Sequence, residues 1–392
     1  MKSNIKIVLF TLVILFLFSS MCKAFSNEEI NLVEFNEEPP NQIEELGSWN
    51  LIGTTISVDN NWTAVEAAHD WCTGEGTESE PYLIENVTID AQGSGSCIKI
   101  QNSNDYFIIQ NCSLYHSGSI PNAGITLYKV TNGKIINNYC YSNYNGICME
   151  YSSYNTVSGN NASHNARGGL DLTDCDNNTI SGNIANSNYW GIALSQSDNN
   201  KVSDNTASYN YFEGISLWSS SDNNIVSGNV VSYNSMGIKL KFNDNNTVSG
   251  NTFSNNVNGI YMWNINNTMV SENTASYNDL EGIQLYYSYN NTIFLNYFTN
   301  NGQNAFDKGT NNMWDNGSIG NYWNDYEGVD ANNDGIGDTP YLIPGLAGSQ
   351  DNFPIWNIQP SIPFGNYFLL FTLIAILSLT ILEKQKKKCH LR

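Results

Sequence analysis

Between residues 97 and 306 the chain repeats one short pattern of apolar and polar positions. A glycine followed by an aliphatic residue recurs at Gly124-Ile125, Gly146-Ile147, Gly169-Leu170, Gly191-Ile192, Gly214-Ile215, Gly237-Ile238, Gly259-Ile260 and Gly282-Ile283, always 22 or 23 residues apart. The first and third positions after each glycine are Ile, Leu or Met, whereas the second ranges from Asp171 to Lys239 to Tyr261. Alternation of period two predicts a short strand with one buried face in every repeat. A second apolar segment lies between polar brackets, as in Asn155-Thr-Val-Ser-Gly-Asn160, Asn178-Thr-Ile-Ser-Gly-Asn183 and Asn246-Thr-Val-Ser-Gly-Asn251.

The closing asparagine keeps step with the glycine through Asn138, Asn160, Asn183, Asn205, Asn229, Asn251, Asn273 and Asn296. Another follows five residues later at Asn143, Asn165, Asn188, Asn210, Asn234, Asn256, Asn278 and Asn301. An amide both donates and accepts, so like residues on successive coils can bond one another across the ~4.8 Å spacing of paired strands. Asparagine also tolerates the left-handed backbone of sharp corners. The pattern predicts an all-β, single-stranded parallel β-helix solenoid, with about three short strands and three turns per coil. A leucine-rich horseshoe shares the period, but these repeats lack its leucine spacing and its helix-forming half.

Coils are also expected outside the clear eight. Cys97-Ile98-Lys99-Ile100 lies 27 residues before Gly124, which places a five-residue loop near His116, and Asn304-Ala305-Phe306 starts a last degenerate turn. About nine coils at ~4.8 Å give a rod roughly 40 to 45 Å long. Its open strand edges need covers. The upstream one is expected to be a short amphipathic helix from Trp62 to Trp71 with Trp62, Val65, Ala68 and His69 on one side.

Composition sharpens this reading. Asparagine occurs 63 times, charged residues make up only 14% of the chain, and the formal net charge is −21, which argues against nucleic acid as a partner. Lys2 and Lys6 precede an apolar run from Ile7 to Phe18, with Ala24 as a plausible cleavage position, so residues 1–24 read as a secretory signal. Residues 25–48 read as an acidic flexible leader. Near the other end, 364–382 is apolar and is followed by Lys384, Lys386, Lys387 and Lys388. This predicts one transmembrane helix, with 383–392 as a basic cytoplasmic tail and the acidic body outside. Between them lie 49–95 as N-terminal cap and first strands, 96–306 as the β-helix repeats, and 307–357 as a C-terminal cap. Cys72, Cys97, Cys112, Cys140, Cys148 and Cys175 could be disulfide-bonded or free buried thiols. Nine Asn-x-Ser/Thr sequons arise in part from the Asn-Asn-Thr turn.

In these repeats the chain resembles the parallel β-helix repeat proteins of the pectin-lyase-like superfamily, and their NosD-like branch in particular. That branch ends in segments similar to Asn321-Tyr-Trp-Asn-Asp-Tyr326 and Asp330-Ala-Asn-Asn-Asp-Gly-Ile-Gly-Asp-Thr-Pro-Tyr341, and the resemblance spans roughly residues 80–356. It implies a right-handed β-helix in an exported protein, of a fold that generally binds or cleaves carbohydrate. It also raises a copper-maturation accessory role, which the residues do not support: His69, His116 and His164 are scattered, and no Met cluster suited to Cu(I) occurs.

Three groups of residues carry candidate chemistry. Asp330, Asn332, Asp334 and Asp338 occupy positions 1, 3, 5 and 9 of a loop with Gly335 at position 6, the spacing of an EF-hand-type calcium loop, although Tyr341 stands at position 12 where a bidentate Glu belongs. Tyr128, Trp218, Trp263 and Tyr286 recur at the fourth position after the repeat glycine, with Tyr261 beside them, and flat rings on a polar face can stack on sugars. Catalysis would sit at His164, Arg167, Asp171 and Asp174, but the Asp-Pro-His of epimerases and the Asn-Thr-Asp and Asp-Asp pairs of polygalacturonases are not found. The function expected is therefore a membrane-anchored extracellular β-helix that binds glycans or a cell-surface partner without catalysis. A polysaccharide lyase or hydrolase, or a structural envelope component, is the alternative.

Overall fold

The computed structural model describes residues 49–356, so the signal (1–24), leader (25–48), membrane span (364–382) and basic tail (383–392) expected above lie outside the described residues. Among the described residues no helix is long and apolar enough to cross a membrane.

The chain winds into a parallel β-solenoid with three faces. The long face has eleven strands, each hydrogen-bonded to the next coil, from Ile56–Asp59 through Ile98–Ser103 to Gln303–Thr310. A second face of shorter strands runs from Tyr82–Glu85 to Thr292–Phe294. The third face has a four-stranded and a five-stranded part, joined by single bridges at Asn161, Ile184 and Thr206. The strand not expected from the sequence is Ile56–Asp59, which raises the count above about nine: its inward residues alternate correctly, but Thr55 stands in place of the repeat glycine and hides it from a glycine count.

The aliphatic pair after each glycine points inward and stacks on its counterpart one coil away. Ile192 pairs with Ile215 and Leu194 with Leu217, and all four are fully buried. Glycine is required before them because a Cβ on Gly191 would lie 2.4 Å from the Gly214 carbonyl oxygen and 3.0 Å from the Ala207 side chain. No rotamer relieves a clash with backbone, so this corner admits only hydrogen.

The asparagines bond as ladders. Asn183 donates both its backbone N–H (2.9 Å) and its Nδ2 (3.0 Å) to Asn205 Oδ1, and Asn205 repeats this on Asn229 at 2.9 and 3.0 Å. The second expected column does the same, as in Asn188 N–H to Asn210 Oδ1 (2.9 Å). A third ladder links Asn155, Asn178, Asn200, Asn224 and Asn246, with backbone N–H to Oδ1 distances of 2.7–2.8 Å. It explains the Asn-Asn pairs: Asn199 and Asn245 turn the corner with φ of 58° and 57°, and the following Asn200 and Asn246 point inward. Outside the same corner, Asp176, Asp198 and Asp222 each accept the backbone N–H of the next acidic residue at 2.7 Å.

Helix α1 (Trp62–Ala68) lies at the upstream end. Trp62 stacks on Tyr82 at 4.9 Å, tilts against Phe107 at 5.2 Å, and donates its indole N–H to Ser103 Oγ at 2.9 Å. Val65 is buried as expected, whereas Ala68 and His69 are exposed. The helix is seven residues long and ends at Ala68, so His69 is already in extended backbone, stacked on Trp71 at 4.6 Å. Downstream, Trp323 stacks between Phe298 (4.7 Å) and Tyr341 (4.3 Å) over the last coil. Two fully buried aspartates pin this end: Asp307 accepts the Trp314 indole N–H (3.1 Å) and Asp351 that of Trp323 (2.9 Å). All six described cysteines are free and buried.

Candidate functional site

On the long face the residue between the two inward aliphatics points outward, as do those one place before the glycine and four after it. Three outward columns therefore run along the rod. The middle column holds Cys148, Asp171, Ala193, Ser216 and Lys239, each the strand partner of the next. Ala193 and Ser216 are small, and Trp190 and Trp218 rise on opposite sides of them. The result is a groove of about 630 Å³, lined also by Glu150, Arg167, Thr173, Tyr189, Ser195, Phe212, Glu213 and Lys241. The insertion that lengthens the coil after Cys97 occupies the corner before Ala123, and its Ile120 and Pro121 wall one end of the groove.

Arg167 lies across this groove's wall, its guanidinium 4.6 Å from the Trp190 ring centre and 5.8 Å from that of Tyr144. Lys239 is paired with Glu213 at 2.6 Å. Burial raises the pKa of half-buried Asp171; the positive charge of Arg167 opposes the shift and the negative charge of Glu150 adds to it. Burial also pushes the Cys148 thiol well up, with Asp171 adding to the effect, so this cysteine is neutral and unreactive as a thiolate.

Of the four residues grouped as catalytic candidates, Arg167 and Asp171 line the groove, and His164 and Asp174 do not. His164 (φ 58°) turns the corner before the long strand and Asp174 (φ 52°) the corner after it. Of the aromatic candidates, Trp218 lines the groove and is about half exposed. Tyr261, Trp263 and Tyr286 form a separate platform on the next coils. Trp263 and Tyr286 are 5.5 Å apart, Tyr261 and Tyr286 6.1 Å, and Phe306 extends the row 5.8 Å beyond Tyr286. Lys308 caps it from 5.1 Å above Phe306. Tyr128 stands apart, edge-on to Tyr151 at 5.7 Å. Trp190, Glu150, Phe212, Lys239 and Lys241 were not singled out in the sequence, because each occurs once in a column whose identity is free to vary.

The Asp/Asn-rich loop is closed by its own backbone. Asp330 accepts the N–H groups of Asp334 (3.2 Å) and Gly335 (2.9 Å), Asn332 that of Asp334 (3.1 Å), Asp334 that of Ile336 (2.9 Å), and Asp338 that of Ala331 (2.7 Å). Tyr341 at position 12 directs its hydroxyl to both oxygens of Asp325 at 3.1 Å. Among the described residues no three His, Cys, Asp or Glu side chains are placed to hold a metal ion. His116 pairs with Asp90 at 3.0 Å, far along the chain from His69 and His164.

Two family models match. Residues 172–328 match the periplasmic copper-binding protein (NosD) family, and residues 71–231 match the right-handed β-helix region. No curated protein sequence matches the chain. Among solved structures, the Dettilon tailspike protein (gp208) is 16% identical with a TM-score of 0.50, covering 69% of this chain and 59% of its own. The periplasmic alginate epimerase AlgG is 17% identical with a TM-score of 0.46, covering 66% and 82% respectively. The A-module of the Azotobacter vinelandii mannuronan C-5 epimerase AlgE6 is 15% identical with a TM-score of 0.45, covering 69% and 98%. Likeness at this level of identity concerns the fold alone. Repeat glycines, asparagine ladders and a three-faced parallel solenoid, together with these matches, make the fold a right-handed parallel β-helix that is similar to the NosD family over residues 172–328.

Proposed function

We propose that this protein is an exported, membrane-anchored β-helix that holds an extended glycan along its long face. One observation carries the reading: the groove between Trp190 and Trp218 and the Tyr261, Trp263, Tyr286 and Phe306 platform lie on the same long face, separated by the single coil that presents Lys239 and Lys241. Within the platform, rings on adjacent coils follow one another along the rod, Trp263 to Tyr286 at 5.5 Å and Tyr286 to Phe306 at 5.8 Å. A sugar chain laid along that face meets the Trp218 ring, then Lys239 and Lys241, then the platform rings in turn, with hydroxyl and charged groups of the groove beside it. The apolar span at 364–382 would tether the rod, and the signal at 1–24 would export it. Within the same reading, the Asp330–Asp338 loop takes calcium weakly, at about 10⁻⁴–10⁻³ M, because no bidentate carboxylate stands at its twelfth position.

The test is a glycan-binding screen on the full chain in detergent micelles, alongside Trp218→Ala and Trp263→Ala. Each substitution is expected to weaken binding by about three- to tenfold, the worth of one aromatic stack. Binding that survives the double substitution unchanged removes this face from the function. A hydrolytic reading is favoured by one feature, the raised Asp171 carboxyl beside Glu150 in the groove. New reducing ends that appear with the wild type and vanish in Asp171→Asn would establish it.

A further inference from the structure

We propose that the groove selects a mostly neutral glycan carrying a single acidic substituent, with Arg167 as the residue that holds the acid; the inference rests on the glycan reading above. Arg167 is the only arginine between residues 49 and 356. Its guanidinium is held between the rings of Trp190 and Tyr144, which fixes the plane of the fork and leaves its N–H edge for a ligand. The two ion pairs among the described residues are His116 with Asp90 and Lys239 with Glu213, so no carboxylate among the described residues lies within 4 Å of this guanidinium. A stacked guanidinium with open donors at the wall of a groove is built to take the two oxygens of a carboxylate, sulfate or phosphate ester.

The same surroundings exclude a chain of many acids. Arg167, Lys239 and Lys241 are balanced in the groove by Glu150, Asp171 and Glu213, and Lys239 is already committed to Glu213. The described body carries 29 acidic against 8 basic residues, a field that repels a polyanion at any distance short of full screening. Further along, the platform offers ring faces and one lysine, Lys308, which lies over Tyr286 and Phe306. One acidic group at Arg167 and uncharged sugars over the platform satisfy both ends.

The experiment measures the full chain in detergent micelles against an array of matched oligosaccharides on several backbones, each present as neutral parent, singly acidic derivative and polyacidic homologue. The singly acidic members are expected to bind about tenfold tighter than their neutral parents, as a charge-assisted fork contact implies. They should also bind tighter than the polyacidic homologues. Arg167→Gln should bring the ratio of singly acidic to neutral affinity to about one, and Arg167→Lys, which keeps the charge without the fork, to an intermediate value. Because the readout is a ratio within one protein, a general loss of folding or of sugar stacking does not imitate it. Tightest binding by the polyacidic members, or a ratio untouched in Arg167→Gln, overturns the inference while leaving the glycan reading standing. Failure of every member to bind overturns both.

Discussion

Replacing Asn205 by alanine tests whether the asparagine ladder holds the coils together or only decorates their corners. Asn205 is 1% exposed, and its side chain serves three neighbours. Its Oδ1 accepts the backbone N–H and the Nδ2 of Asn183, and its Nδ2 donates to the Ile180 carbonyl (3.0 Å) and to Asn229 Oδ1. Alanine leaves the Asn183 N–H with no acceptor inside the rod and deprives the Ile180 carbonyl of a donor. Asn183 Nδ2 keeps the Val157 carbonyl at 2.9 Å, and Asn229 Oδ1 keeps the residue 205 backbone N–H. Two buried groups left wanting at about 1–3 kcal/mol each predict a loss of roughly 2–6 kcal/mol. In a solenoid that loss concentrates on one coil and its two neighbours. Asn199→Ala is the control: that residue is exposed at φ 58° and makes no ladder contact, so only backbone strain of about 1 kcal/mol is expected. Denaturant unfolding gives both values, and hydrogen exchange at the Asn183 amide gives the local one. Equal costs at 205 and 199, with the Asn183 amide still protected, would refute the ladder as a source of cohesion.

Gly191→Ala should destabilise by more than about 3 kcal/mol, since the added carbon meets the Gly214 carbonyl oxygen, and a thermal melt within a degree or two of wild type would contradict this. Burial raises the Asp351 pKa to about 6, while backbone and indole N–H groups from Asn321, Trp323 and Phe353 oppose the shift. A raised carboxyl favours the folded state below its ordinary value near 3.8, and that contribution is lost as pH rises through about 6. Wild type should therefore lose roughly 2–3 kcal/mol relative to Asp351→Asn between pH 4 and pH 7, and parallel stability curves for the two proteins would dismiss it. Calcium at about ten times the expected dissociation constant should stabilise by on the order of 1.4 kcal/mol, and less in Asp334→Asn; no shift in melting temperature at that concentration removes the loop as a metal site.

What could be read from the sequence is what every coil must repeat. The Gly-Ile step marks the long strand because a carbon at that glycine strikes backbone in each coil, and the first two asparagine columns mark corners whose amides must find each other. The third ladder escaped because four of its five asparagines, all but Asn155, are the second members of Asn-Asn pairs, and a turn signal already accounted for them. The groove was only half legible. Arg167, Asp171 and Trp218 stood out as rare or recurrent residue types, but Trp190 and Lys239 belong to columns that tolerate anything, and only the winding of the coils sets them opposite Trp218 and beside Glu213. Likewise the longer coil near His116 was visible as a count, whereas the placing of Ile120 and Pro121 at the groove mouth depends on which corner receives the extra residues. The buried Asp307 stands where the preceding coil has the inward Leu285, and Asp351 lies beyond the repeats, so no recurring residue type points to either.

Main-chain bonds and inward side chains supply most of what joins one coil to the next, so most outward positions of the long strands contribute little to cohesion. Ile215 and Leu217 secure their strand whether or not an indole stands at 218. Exchanges at 171, 193, 216 or 239 can thus rewrite the binding track point by point at little thermodynamic penalty. Such a scaffold lets ligand preference drift far faster than architecture, and two proteins sharing every ladder and every glycine need not share a single sugar.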